Sequence, residues 1–404
     1  MIRSRFSPSS SPPWLALLLG ALLLAGPARA QELGEGLQAH GFISQVVTHS
    51  SDNQVGGDSD DGLGWGLREM GANLSWRPTP DWLLSGQVLG RWAGETDDGG
   101  LRLDYGFIDR TLVSDGVNQM GLRVGKIKNP YGFFNTTRDV AHTRPGIIMP
   151  QSIYLDRIRN FILSAPGAAL HGNLAANDMD ISWSLGMVQP DTSSADLESL
   201  FLLSDRVGKM KGDWTWLGQV MADFQGGRWR AGLTLGDVRM HYQPGGDPLL
   251  ASGDNRLTPI VLSLEHNAEK YSLTAEYTQA RHENGGYGAS PLAVGLQKPN
   301  TVEGWYVQAT YRPSLDWRFY VRRDEVYLDR NDRYGKKNPS PFYPPFILFA
   351  KDWTVGVRHD WNAWEFSLEY HDVKGTLWLS PLDTAFGNQT QDWDMVLLQA
   401  AWRF

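Results

Sequence analysis

Residues 396–404 restrict the fold of this chain more than any other segment. Counting back from the last residue, every second position is apolar, and the positions between end in Gln399, Ala401 and Arg403. The apolar set is Val396, Leu398, Ala400, Trp402 and Phe404. A period of two predicts a strand with one apolar face and one wetter face. At the edge of a soluble sheet such a strand invites aggregation, whereas a closed barrel leaves no edge. We therefore expect a barrel in a bilayer, with an ordinary terminal strand of a soluble β-protein as the alternative.

Residues 1–30 have the parts of a secretory signal peptide. Arg3 and Arg5 give a basic start, residues 14–25 form an apolar run, and residues 28–30 fit a small-residue cleavage site. The apolar run is shorter than the ~20 residues that a membrane-spanning helix needs. We expect export and cleavage before Gln31, so that residues 31–404 form one β-barrel domain without a helical anchor.

The composition agrees with strands that are apolar on one face only. Hydrophobic residues make up 41% of the 404 residues, and a barrel needs them only toward lipid. The chain has no Cys, which excludes disulfides, thiolate metal sites and cysteine nucleophiles. The net charge is −8, and removal of the three arginines in residues 1–30 would make it −11. This acidic balance argues against a nucleic-acid partner.

Alternating segments of about ten residues recur along the rest of the chain. The clearest begin at Trp82, Tyr271, Trp305 and Trp364. Others begin near residues 68, 101, 119, 178, 213, 228, 257, 315, 350 and 392, and two weaker ones cover 38–48 and 162–173. The total of about sixteen predicts an all-β fold, a transmembrane antiparallel β-barrel.

The predicted connections alternate between short turns and long loops, which is typical of outer-membrane barrels. Short turns are expected at 78–81, 114–118, 175–177, 225–227, 267–269, 313–314 and 361–363. Long loops are expected at 49–66, 95–100, 128–161, 189–211, 241–255, 283–301, 328–349 and 376–391. About sixteen strands is the size at which a barrel opens into an aqueous channel.

The loop at about 128–161 is the longest, and it is rich in aromatic residues and in basic charge. Its charged residues are Arg138, Asp139, Arg144, Asp156, Arg157 and Arg159, with Lys126 and Lys128 at its entrance. Arg and Lys in a pore lower the barrier for anions, and Arg can pair with phosphate or carboxylate. The alternative is that Arg138–Asp139 and Asp156–Arg157 pair and only fix the loop to the wall.

Two segments resemble Gram-negative outer-membrane porins. The end of the chain, with Phe404 last and Trp402 two residues before it, resembles the C-terminal strand of bacterial outer-membrane barrels. Residues 125–132, Gly-Lys-Ile-Lys-Asn-Pro-Tyr-Gly, resemble the Gly-x-x-Lys-x-Pro-aromatic-Gly stretch of the phosphate-selective porin family. The resemblance implies that the third long loop folds into the lumen as a constriction, whose charged residues meet the solute. It also implies a homotrimer and recognition of Phe404 by the barrel insertion machinery.

Further charges are predicted on the polar faces of the strands and on the outer loops. Arginines expected on the lumen wall are Arg91, Arg102, Arg123, Arg318 and Arg358. Acids expected as solvated charge on the outer rim are Asp52, Asp58, Asp60, Asp61, Asp97 and Asp98, whose spacing fits no EF-hand. We expect neither a metal site nor a cofactor.

The sequence therefore predicts an outer-membrane porin that passes small hydrophilic solutes, with a preference for anions. A substrate-specific anion channel for phosphate or carboxylate, and a non-conducting structural or adhesin barrel, stay open as alternatives. An enzyme is not expected, because neither Gly-x-Ser-x-Gly nor His-Glu-x-x-His occurs. Membrane lipid and lipopolysaccharide are the expected surroundings.

Overall fold

The alternating sequence forms strands throughout the computed structural model. The structure describes residues 31–204, 206–337, 339 and 343–404, so the predicted signal peptide lies outside the described residues. Within these ranges, sixteen long strands and two short ones, β1 (Gln31–Gly34) and β9 (Lys209–Gly212), form one antiparallel sheet. The long strands are β2 (Leu37–Ser50), β3 (Leu67–Thr79), β4 (Trp82–Ala93), β5 (Arg102–Ser114), β6 (Gln119–Lys128), β7 (Ser164–Ala176), β8 (Met179–Val188), β10 (Thr215–Phe224), β11 (Trp229–Gln243), β12 (Gly253–Asn267), β13 (Tyr271–Gly285), β14 (Asn300–Tyr311), β15 (Trp317–Tyr327), β16 (Phe349–Trp361), β17 (Trp364–Gly375) and β18 (Asp392–Arg403).

The predicted barrel of about sixteen strands is confirmed. Consecutive long strands pair with one another, and β18 pairs with β2, which closes the ring. Phe404 and Gly41 exchange two backbone hydrogen bonds of 3.0 Å at this seam. The ring of Phe404 occupies the space that a Cβ at position 41 would need, so a larger residue there would displace the ring. Closure leaves neither end strand with an unpaired edge.

The polarity of the barrel wall is the reverse of that of a water-soluble protein, with apolar side chains outside and polar side chains inside. In β17 the outward side chains Phe366, Leu368 and Tyr370 are 38–46% exposed, whereas inward Glu365 and Glu369 are fully buried. The same alternation of exposed apolar and buried polar side chains runs through β13 and the second half of β12, whereas inward Trp393, Met395 and Leu397 of β18 form part of a buried apolar cluster. An apolar outer band with a polar interior is the arrangement that a lipid-facing barrel requires.

Short turns and long loops alternate around the barrel, as the sequence predicts. Asn177 and Asn362 have φ of 53° and 57° in short turns, a left-handed conformation that asparagine tolerates better than most residues. Strand boundaries differ locally, since β12 begins at Gly253 rather than near residue 257. No helix among the described residues is long and apolar enough to cross a membrane.

The long loops carry the few helices. The loop between β6 and β7, residues 129–163, contains two 3-10 turns (Ala141–Thr143 and Asp156–Ile158) and α1 (Arg159–Leu163). We call it the β6–β7 loop. Helix α2 (Ala195–Leu202) lies in the connection that follows β8, and α3 (Pro291–Leu296) lies in the connection that follows β13.

Candidate functional site

A buried carboxylate of β13 holds the beginning of the β6–β7 loop. Glu276 accepts hydrogen bonds from the Phe133 amide at 2.8 Å and from the Tyr154 hydroxyl at 2.6 Å. It also accepts from the hydroxyls of Ser263, at 2.5 Å, and Tyr306, at 2.8 Å, on the neighbouring strands. A buried charge needs several donors to offset its desolvation. Glu276 therefore links two loop residues to the inward face of the barrel.

A second carboxylate, on β17, holds the middle of the loop. Glu369 accepts from the amides of Ile147 and Ile148 at 2.9 and 3.1 Å, and from the Tyr320 hydroxyl at 2.6 Å. Its remaining partner is His371, at 3.1 Å on the same strand. The loop supplies backbone N–H groups without a secondary-structure partner, and the strand supplies the acceptor that they need.

A third carboxylate, Asp324 of β15, accepts from the Gln151 amide at 2.6 Å and the Ser152 amide at 3.2 Å. In addition, Gln308 of β14 donates to the Pro145 carbonyl, and Gln219 of β10 donates to the Gly132 carbonyl. The β6–β7 loop thus contacts the polar faces of strands that are far from β6 and β7 in the sheet order.

The arginines of the loop lie beside carboxylates. Arg144 pairs with Glu69 of β3 at 2.6 Å. Arg159 donates to both carboxylate oxygens of Asp104 on β5, each at 2.9 Å. Such two-point pairing fixes the orientation of the guanidinium as well as its position.

The other predicted loop charges have partners on several elements. Their contacts are Arg138 with Asp156, Arg157 with Asp196 of α2 at 3.4 Å, Lys128 with Asp139 at 2.8 Å, and Lys126 with the Leu103 carbonyl at 2.8 Å. The pairs of the alternative, Arg138–Asp139 and Asp156–Arg157, are replaced by contacts of Arg138 with Asp156 and of Arg157 with Asp196. The structure therefore brings Lys126, Lys128, Arg138, Asp139, Arg144, Asp156, Arg157 and Arg159 into one region. Their role in solute passage stays a prediction.

Burial and pairing shift the pKa values of the loop charges. Burial lowers the pKa of Arg138 to about 10, although the charge of Asp156 acts in the opposite direction. Burial acts to raise the pKa of Asp156, but the positive charges of Arg138 and Arg91 outweigh it and lower the pKa. Each of these groups keeps its charge at neutral pH, so the loop retains its ion pairs there.

The predicted wall arginines lie on the inward faces of their strands, and each has an acidic partner. Arg91 pairs with Glu69 at 3.0 Å and with Asp97 at 3.1 Å, and Arg102 also pairs with Asp97. The remaining contacts are Arg123 with Asp109 at 2.7 Å, Arg318 with Asp360, and Arg358 with Glu365 at 3.2 Å. Asp97 was wrongly assigned to a solvated outer rim. It is 8% exposed, because it pairs with Arg91 and Arg102 of the barrel wall.

Sequence reasoning missed the residues that anchor the loop. Glu69 and Asp324 were not singled out, although both are in phase with the inward residues of their strands. The loop partners of Glu276 and Glu369 are more than a hundred residues away in sequence. Asp196 lies on a helix that the strand pattern does not reveal.

A cavity of about 440 Å³ lies on one side of the β6–β7 loop. It is lined by loop residues 151–162, by α2 and by the inward faces of β10 to β15. In the part of the chain that the structure describes, no group of three or more His, Asp or Glu side chains is placed to hold a metal ion.

Comparison with solved structures places this barrel among porin-type folds. The outer membrane channel DcaP of Acinetobacter baumannii aligns with a TM-score of 0.59 at 14% identity, covering 93% of this chain and 100% of DcaP. An anion-selective porin from Comamonas acidovorans aligns at 0.55 and 11% identity, covering 91% and 99%. A trimer form of OmpT from Vibrio cholerae aligns at 0.52 and 11% identity, again covering 91% and 99%. No protein-family model matches the chain, and no curated protein matches its sequence. At these identities the likeness shows a shared fold.

Proposed function

We propose that this protein is a porin of the Gram-negative outer membrane, through which small hydrophilic solutes diffuse down their gradients. The observation that carries the proposal is the closed ring of sixteen long strands within the described ranges, apolar outside and polar inside. Such a ring can lie in lipid while its interior stays wet. Residues 1–30 would direct export, and passage requires neither a cofactor nor a catalytic residue.

We further propose that the β6–β7 loop folds into the barrel and sets the size limit for solutes. Its hydrogen bonds to Glu276, Asp324 and Glu369 support this role, because these three acids lie on the inward faces of different strands. Several fixed contacts would hold the loop in one place, as a size-selective constriction requires.

A preference for anions is the finer part of the proposal. The cations of the loop and adjacent wall are Arg91, Arg102, Lys126, Lys128, Arg138, Arg144 and Arg159. The carboxylates paired with them are Glu69, Asp97, Asp104, Asp139 and Asp156. The support comes from the loop itself, where four arginines stand against two acids, and it favours a modest preference for anions rather than a strict one. A dedicated phosphate or carboxylate channel is the narrower version of the same proposal.

The first test is the single-channel conductance of the purified protein in a planar bilayer, with reversal potentials measured across a KCl gradient. We expect discrete conductance steps and a reversal potential on the anion side. Arg144→Ala should move the reversal potential toward cations, because it leaves the charge of Glu69 less compensated. Arg157→Ala should do the same by exposing Asp196, and an unchanged value in both variants would overturn the constriction assignment.

The absence of conductance steps would favour a structural or adhesin barrel. The trimer form of OmpT from Vibrio cholerae supports a homotrimer, which chemical cross-linking in native membranes would test. Lipid and lipopolysaccharide around the barrel, recognition of Phe404 by the insertion machinery, and the absence of a nucleic-acid partner and of enzymatic activity stay predictions.

A further inference from the structure

One part of the barrel interior is apolar where a channel for hydrophilic solutes would be polar. The cavity beside the β6–β7 loop is bounded by inward side chains of β10 to β15. The apolar ones include Leu217, Val238, Leu257, Pro259, Ala280 and Val302. The inward faces of β3 to β5 and of β16 and β17 instead carry Glu69, Arg91, Asp104, Arg358 and Glu365. The interior therefore has an apolar region beside the loop, on strands that carry Glu276 and Asp324 elsewhere on their inward faces.

The loop and α2 extend this apolar surface over the cavity. Ile153, Leu155 and Phe161 of the loop line it, together with Leu200 and Phe201 of α2. Its volume of about 440 Å³ lies within the range of roughly 300–1,000 Å³ that is usual for small-molecule sites. Burying the apolar part of a solute against this surface would be favourable, because it removes apolar area from water.

Three buried polar atoms of lining residues are left without a hydrogen-bond partner among the described residues. They are the Oδ1 atoms of Asn129 and Asn284 and the hydroxyl of Ser152. The amide nitrogens of both asparagines donate to backbone carbonyls, of Ile162 and Leu296, which leaves each Oδ1 as an acceptor. These atoms are buried beneath the cavity surface, so the side chains would have to rotate toward the cavity to accept from N–H or O–H donors of a ligand.

The charged residues that line the cavity do not favour an anionic ligand. Lys298 lines the cavity together with Asp329 and Asp332, so positive charge is not in excess. The ligand chemistry that fits is therefore an apolar group with neutral hydrogen-bond donors.

We propose that this cavity is a binding site for small neutral amphiphiles, molecules that join an aromatic or branched aliphatic group to an amide or hydroxyl. The proposal rests on the proposed porin function, since it names a solute class that would be retained on its way through the barrel. The apolar group would lie against Leu217, Val238 and Val302, and its donors would meet Asn129 and Asn284 once those side chains rotate toward it. Charged solutes would pass outside this apolar region.

The test compares two neutral amides that differ only in an apolar group, N-acetylphenylalaninamide and N-acetylglycinamide. Binding of each radiolabelled amide is measured by equilibrium dialysis to the protein in lipid nanodiscs, with empty nanodiscs as the blank. We expect the phenylalanine amide to bind about tenfold or more tightly than the glycine amide, as burial of an aromatic side chain implies. The KCl conductance of the same preparation is recorded separately.

Two variants and one matched control locate the site. Ala280→Phe fills the cavity and should abolish the preference, whereas the double variant Val238→Thr/Val302→Thr makes the wall polar and should reduce it about fivefold or more. The control Val46→Thr/Val373→Thr makes the same change at inward valines outside the cavity and should keep the wild-type preference.

The outcomes separate this inference from the proposed function. Equal binding of the two amides by wild-type protein would overturn the inference, and so would a preference that survives in both cavity variants. A preparation that binds with the expected preference but does not conduct KCl would overturn the porin function and leave the site in place.

Discussion

The contact between Glu369 and the β6–β7 loop offers a sharp test of how the loop is held. Glu369→Gln keeps the size of the side chain but replaces one acceptor oxygen by an NH₂ group. That group would replace either Oε1, which accepts from the Ile147 amide at 2.9 Å, or Oε2, which accepts from the Ile148 amide at 3.1 Å. At least one of these hydrogen bonds is lost, and the other loses its charged acceptor.

The size of the effect follows from the kind of bond that is lost. A hydrogen bond to a charged group contributes about 1.5–3 kcal/mol, so weakening both should cost about 3 kcal/mol of loop docking. That is about a 100-fold change in the ratio of docked to released loop. Glu276 and Asp324 still hold the flanking segments, so we expect local release rather than loss of the whole loop.

The assay is single-channel recording, in which a loosened constriction gives larger current noise and brief steps of higher conductance. Glu365→Gln is the matched control, since Glu365 is a fully buried glutamate on the same face of β17. Its partners, Arg358 and Ser367, both lie on strands. If Glu369→Gln and Glu365→Gln give the same noise as the wild type, the anchoring role of Glu369 is refuted.

Three further predictions concern barrel closure and pH. Phe404→Ala removes the ring that packs 4.9 Å from Trp402 at the seam, so we expect slower assembly and a lower temperature of unfolding on heated gels; wild-type behaviour would contradict this. Burial, together with the charges of Arg403 and Arg358, lowers the pKa of His142 to about 4, so the docked loop disfavours its protonation. The β6–β7 loop should therefore dock less stably as pH drops from about 6.5 toward 4, and the channel noise should rise. His142→Asn removes the titrating imidazole and should reduce that rise. Burial and nearby acids raise the pKa of Asp383 to about 6, so its ionised form is disfavoured in the folded state and stability is lost as pH rises through 6. Asp383→Asn should raise the unfolding temperature at pH 7.5 and change it little at pH 4, and equal effects at both pH values would argue against this cause.

The barrel itself could be predicted from local patterns. Alternation in segments such as the one beginning at Trp364 reports which side chains face lipid, because successive strand residues point to opposite faces. The alternation of short turns and long loops could also be predicted, from the spacing between the alternating segments. The predicted positions of Arg318 and Arg358 on the inward face follow from the same period, and the structure places both there.

The partners of the loop charges could not be predicted in this way. Arg138 pairs with Asp156 rather than with its neighbour Asp139, and Arg157 pairs with Asp196 on another loop. Asp97 looked like a rim charge because it sits beside Asp98, yet two wall arginines bury it. Sequence spacing carries no signal for contacts that depend on where a long loop is placed.

The sequence alone determined that apolar and polar residues alternate with a period of two, so that each strand is apolar on one face. It also determined that there are enough strands to close a wide barrel. These are local properties, set by the direction of each side chain from an extended backbone. Only the tertiary structure decided where the β6–β7 loop lies, which acids accept its amides, and that a largely apolar cavity lies beside it. Those features depend on contacts across the barrel. The residues in contact are far apart in the sequence, and closure of the barrel brings them together.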